Sequence, residues 1–96
     1  MTKEYRERHS IISQILDTIK DNQGEGATKT SIMYKSYLSY AQLREYLSLL
    51  VERGLVDEFP KHDKSNGSQK NVYKITESGF RLLQISQEIK NLVDLG

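Results

Sequence analysis

No cysteine occurs in the chain, proline occurs once, at Pro60, and no apolar run approaches the roughly 18 residues that a membrane-spanning helix requires. The first absence excludes disulfides, thiolate zinc sites and a cysteine nucleophile. His9 and His62 stand half a chain apart with no second ligand at a metal-binding spacing, so neither a metal nor a cofactor is expected. The first ten residues, MTKEYRERHS, lack the apolar stretch of a secretion signal, and the expected location is the cytoplasm, with no membrane partner. Nor does one sign of charge dominate. The formal net charge is +1, which identifies no partner until the charges are placed along the chain.

What is present suffices for one small core. At 96 residues the chain falls short of an average domain of about 150, so residues 1–96 are expected to form a single unit. Hydrophobic residues at 36%, charged residues at 28% and a mean hydropathy of −0.63 suit a globular domain better than a disordered tail.

From Glu4 to about Asn22, Tyr5, Ile12, Ile15, Leu16 and Ile19 place one apolar stripe on a helix, with Arg6, Glu7, Arg8, Lys20 and Asp21 facing water. Gly24 and Gly26 end it. Thr28 can cap a short second helix that carries Ile32 and Met33 and ends near Lys35 or Ser36. Ser39 and Gln42 have the spacing of a reciprocal capping box, with Leu38 and Leu43 at the positions of a hydrophobic staple. A third helix should therefore run from Tyr40 to Arg53, turn Leu43, Leu47, Leu50 and Val51 inward, and end at Gly54. So tight a link forces the second and third helices to cross steeply.

Leu55 to Phe59 has the period of a short strand, which Pro60 is expected to end because proline donates no ladder hydrogen bond. Lys61 to Lys70 is polar with turn residues at its centre, and Asn71 to Ile75 reads as the returning strand. Thr76 can cap a last helix over 76–96, with Glu77 placed favourably against the helix dipole. Gly79 in its first turn is poor for helix propensity and implies a close approach to another backbone. Phe80 and Leu83 face one side of this helix. Leu82, Ile85, Ile89 and Leu92 face another, at the spacing of a seam between helices packed side by side.

Helix, helix, tight turn, helix, hairpin, helix is the order of a winged helix-turn-helix, mainly α with a small β-hairpin in the α+β class. Charge follows the same elements. Residues 29–53 carry a net +2 and residues 61–74 a net +3, whereas 1–28, 54–60 and 75–96 are net negative. Such a fold offers its third helix, about 40–53, to the major groove of a duplex and its wing, about 61–70, to the adjacent backbone. Tyr40, Ala41, Gln42, Arg44, Glu45 and Ser48 would then reach base edges, Arg44 suited to guanine and Gln42 to adenine. Lys29, Lys35, Lys61, Lys64 and Lys70, with Ser65, Ser68 and Gln69, are expected on phosphates.

The pieces Met33-Tyr34-Lys35, Leu38-Ser39-Tyr40, Leu43, Tyr46-Leu47, Leu50, Gly54-Leu55 and Tyr73-Lys74-Ile75-Thr76-Glu77-Ser78-Gly79 carry a likeness. Over roughly residues 8–90 the chain resembles the archaeal winged-helix DNA-binding proteins that dimerise through a long carboxy-terminal helix. The resemblance implies a homodimer that binds double-stranded DNA as a transcriptional regulator or a nucleoid-associated protein. The seam here is about two heptads long, short of the three or four that mark an isolated coiled coil. Leu82, Ile85, Ile89 and Leu92 thus either need help from the first helix or do not dimerise.

Each feature also has a purely structural use. Ser39 and Gln42 cap a helix whether or not Gln42 meets a base, and Arg44 can be a solvated arginine paired with a neighbouring glutamate. The wing lysines can serve solubility, and the seam residues can close over the monomer's own core. Of the six tyrosines, most are expected to be half-buried with a wet hydroxyl, Tyr40 excepted. No set of nucleophile, base and oxyanion groups is recognisable, so an enzyme is not expected, and no small-molecule ligand is implied. The rival function is a winged-helix module that binds another protein, whose mark would be an exposed apolar patch on the third helix or wing.

Overall fold

The computed structural model describes residues 2–22, 24–62 and 69–94. They form helix α1 (Thr2–Asp21), strand β1 (Ala27–Thr28), helices α2 (Lys29–Ser36) and α3 (Tyr40–Glu52), strands β2 (Val56–His62) and β3 (Gln69–Ile75), and helix α4 (Glu77–Asp94). The strands make one antiparallel sheet in the order β1-β3-β2. This is the α+β winged helix-turn-helix that the element order predicts.

The stripe on α1 buries Ile15, Leu16 and Ile19 completely, with Ile12 and also Ile11 packed half-buried beside them. The Tyr5 side chain lies outside the described residues. Ile32 from α2, Leu43, Leu47 and Leu50 from α3, Val56, Tyr73 and Ile75 from the sheet and Leu83 from α4 complete one cluster. Each such side chain contributes about 1.5–3 kcal/mol on burial, so this single cluster carries the stability of a chain this short.

Of the two glycines after α1, packing requires only Gly26. Its φ is +91° and a β-carbon there would stand 2.9 Å from Val72 Cβ, whereas Gly24 has open space around it. The cause is β1, a strand of two residues that leaves no periodic pattern in the sequence. It pairs Ala27 with Tyr73 and Thr28 with Val72, drawing the chain against β3.

Local capping sets the helix boundaries. Thr28 Oγ1 accepts from the Ser31 N–H at 3.2 Å. Helix α2 closes on Tyr37, whose backbone is left-handed at φ 57° and whose N–H donates to the Met33 carbonyl at 3.1 Å. Two residues later Ser39 Oγ accepts from the Gln42 N–H at 3.2 Å while Gln42 Oε1 accepts from the Ser39 N–H at 3.1 Å, the full capping box. The other end of α3 is a Schellman motif, with Gly54 N–H on Val51 O at 3.0 Å and Leu55 N–H on Leu50 O at 2.9 Å. Val51, expected inside, is only half-buried.

Pro60 does not end its strand. Strand β2 continues through Pro60, opposite Asn71, to His62 opposite Gln69. It lies at the sheet edge, where alternate N–H groups face away from the neighbouring strand and a missing donor costs no ladder bond. Helix α4 starts at the expected cap, with Thr76 Oγ1 accepting from the Gly79 N–H at 3.0 Å. Among the described residues no helix is long and apolar enough to cross a membrane.

Candidate nucleic-acid interface

The burial of Leu43, Leu47 and Leu50 turns the opposite face of α3 outward, and Tyr40, Ala41, Gln42, Arg44, Glu45 and Ser48 are all exposed on it. The capping box holds the first turn of that face. It also uses one of the two lone pairs of Gln42 Oε1, so a bidentate pairing of this amide with adenine would draw on the other lone pair together with Nε2. Lys29, in the first turn of α2, reaches across to α3 and places its Nζ 5.8 Å from the centre of the Tyr40 ring. Lys35 is exposed in the last turn of α2, away from that contact, where its carbonyl oxygen accepts from Gln14 Nε2 at 2.8 Å.

On the hairpin, Lys61 and Lys70 are exposed and stand directly opposite each other. Like charges so placed repel, and a bound anion would relieve them. Lys64, Ser65 and Ser68 lie outside the described residues. Among the described residues the ion pairs are Lys20–Asp17 and Arg81–Glu77, so Lys29, Lys35, Arg44, Lys61 and Lys70 all remain without a carboxylate partner. For Arg44 the expected alternative of a neighbouring glutamate is thus not what forms.

A network that the sequence pattern does not reveal ties the two strands of the hairpin together. Glu58 Oε2 accepts both from Tyr73 Oη and from Asn71 Nδ2, each at 2.7 Å. Glu58 and Tyr73 are cross-strand partners in the β2–β3 register, which is the signal that could have suggested the pair. Burial, then the hydrogen bond to Glu58 and its charge, push the Tyr73 phenol far above its usual range, with a smaller contribution from Tyr40. Tyr34 and Tyr37, expected half-buried, are instead exposed at the corner between α2 and α3.

On α4 the four seam residues divide. Leu82 is half-buried and packs against the core, whereas Ile85, Ile89 and Leu92 are exposed, at 47%, 51% and 72%. Three of the four therefore do not close over the monomer's own core. Val93 is also exposed toward the end of the helix, and Phe80 is exposed on a different side of it. Beside it runs an open groove against α1, lined by Ser10, Ser13, Gln14, Leu83 and Ile89 among others, where Ser86 Oγ and His9 Nε2 are 3.1 Å apart.

No curated protein matches the chain in sequence. Among solved structures, a PadR family transcription regulator from Clostridium difficile R20291 is similar with TM-score 0.78 and 15% identity, over 88% of this chain and 90% of that one. A single-residue mutant of MepR from S. aureus is similar with TM-score 0.72 and 16% identity, over 88% of this chain; the chain spans 60% of the MepR length. Sso10a-2, a DNA-binding protein from Sulfolobus solfataricus, is similar with TM-score 0.66 and 23% identity, over 90% of this chain and 80% of that one. The match that covers nearly the whole sequence is to a family defined by the fold just described: through residues 5–94 the chain belongs to the winged helix-turn-helix family.

Proposed function

We propose that this chain binds double-stranded DNA as a homodimer and acts as a transcriptional regulator. The observation that carries the reading is the set of cations with no carboxylate partner among the described residues, Lys29, Arg44, Lys61 and Lys70, on α2, α3 and the hairpin of a helix-turn-helix whose exposed α3 face is mostly polar. MepR is solved in complex with DNA and Sso10a-2 is a DNA-binding protein, which supports the same use here. In this reading α3 enters the major groove, where Tyr40, Gln42, Arg44 and Ser48 meet base edges. Lys29, Lys35, Lys61, Lys64, Ser65, Ser68 and Lys70 hold phosphates. Ile85, Ile89 and Leu92, with Leu82 at their inner edge, join two copies, so that the α3 helices address half-sites about 34–36 Å apart in a pseudo-palindrome.

The test is titration of a labelled duplex at several salt concentrations. The logarithm of the affinity falls with that of the salt by about 0.9 for every phosphate neutralised, and replacing Lys61 and Lys70 together by alanine flattens that slope by about two phosphates' worth, on every sequence alike. Affinity that is flat with salt, or no binding at low salt, refutes the reading and favours a protein partner.

A further inference from the structure

Tyr34, Tyr37 and Tyr40 follow one another at three-residue intervals around the corner between α2 and α3, and all three are exposed, Tyr37 at 90% and Tyr34 at 73%. Neither of the first two has a part in the function proposed above. Tyr37 is out of place by two measures. It is the one non-glycine with positive φ among the described residues, at a helix-ending position where glycine or asparagine is the low-energy choice. Its ring also lies almost wholly in water. Either of those residues would donate the same N–H to the Met33 carbonyl, so folding does not account for the ring.

The surroundings indicate what the rings meet. Lys35 lies between Tyr34 and Tyr37 in sequence and is exposed, Lys29 stands over Tyr40, and the stretch 29–53 is net positive. The potential there attracts a polyanion. One face of Tyr40 is already taken by the Lys29 ammonium. Among the described residues no cation stands over Tyr34 or Tyr37, which lie three residues apart, one in the last turn of α2 and the other at the left-handed residue that ends it. In an intact duplex, stacking hides the faces of the bases, so an exposed ring face finds no partner there. In a single strand the base faces are free, and aromatic rings interleaved with cations are what hold them. Resting on the same reading of this surface as a nucleic-acid site, we infer that Tyr34 and Tyr37 form a stacking platform for unpaired bases, through which the corner binds single-stranded DNA.

The test compares a labelled oligothymidylate with a duplex of equal length, on the full chain and on Tyr34→Ala/Tyr37→Asn, Tyr37→Asn and Tyr37→Phe. Asparagine suits the left-handed backbone, and thermal melts confirm that each variant folds; Tyr37→Asn alone carries the test if the double variant does not. Wild type binds the single strand. Each ring removed weakens that binding about fivefold or more, and duplex affinity changes by less. Tyr37→Phe binds as wild type does, because stacking uses the ring, whereas a phosphate contact would use the hydroxyl. The inference is overturned if wild type does not bind the single strand at low salt, if both substrates weaken equally, or if phenylalanine is as damaging as asparagine. A change in sedimentation in the ring variants also overturns it, since the corner is then a self-association surface. Loss of duplex binding in wild type would refute the proposed function instead.

Discussion

A β-carbon at Gly79 would overlap the carbonyl oxygen of Leu55 and stand 2.9 Å from Ile75 Cγ1. That oxygen already accepts from the Thr76 N–H at 3.1 Å, and Thr76 Oγ1 donates to the Gly54 carbonyl at 2.7 Å. The start of α4 is thereby docked on the backbone that leaves α3. This contact sets the direction of the apolar face of α4 relative to the exposed face of α3, and hence the geometry with which a dimer would present two such faces.

Gly79→Ala should therefore destabilise the fold by about 2–3 kcal/mol, because the atom it meets is backbone and cannot swing aside. Gly24→Ala is the control. That position has open space and no left-handed φ, so alanine should stabilise by about 0.4–1 kcal/mol through the unfolded chain. Urea midpoints of the two variants should move in opposite directions.

The Tyr73 phenol makes stability depend on alkaline pH. Burial and Glu58 raise its folded pKa above the unfolded value of about 10. The folded state then holds a proton that the unfolded state has lost, so the contribution is fully present below pH about 10 and declines as pH rises above it. Tyr73→Phe should cost about 1 kcal/mol at neutral pH by leaving Glu58 with one donor fewer. It should also flatten the fall in urea midpoint between neutral and strongly alkaline pH; an unchanged slope would mean that Tyr73 does not titrate differently in the two states.

Gln42→Glu separates the two uses of that side chain. Glutamate completes the capping box as well as glutamine does and suits the helix amino terminus, so the melting temperature should hold or rise. The added negative charge on the exposed face of α3 should weaken duplex binding at low salt. If affinity is unaffected while stability holds, Gln42 is a cap and nothing more.

Ile89→Asp tests the apolar face of α4. Ile89 is half exposed in the single chain, so the substitution should leave the thermal midpoint of the monomer fold nearly unchanged. Sedimentation should show wild type as a dimer and the variant as a monomer. A monomeric wild type at tens of micromolar protein refutes the seam.

Most of the helical frame is legible in the sequence, because it is written in interactions between residues three or four apart. The Ser39–Gln42 box, the Thr28 and Thr76 caps, the glycine end at Gly54 and the α1 stripe from Ile12 to Ile19 each form where their spacing says they should. Even Gly79 announces its close contact, since a glycine in a helical first turn has no local advantage. The cationic character of the second and third helices and of the hairpin is legible as well, being a matter of composition along the chain.

What only the tertiary structure decided depends on which remote segment lies alongside. Strand β1 exists because β3 is there to pair with it, and Pro60 stays in β2 because that strand falls at the sheet edge. Glu58 meets Tyr73 and Asn71 across the hairpin. Tyr34 and Tyr37 stay in water because the core has no place for them, and Ile85, Ile89 and Leu92 because α1 covers only the inner side of α4. Local spacing sets where a helix begins, ends and is apolar. Whether an apolar or aromatic residue is then covered is a property of its neighbours in space, and a one-dimensional pattern does not contain them.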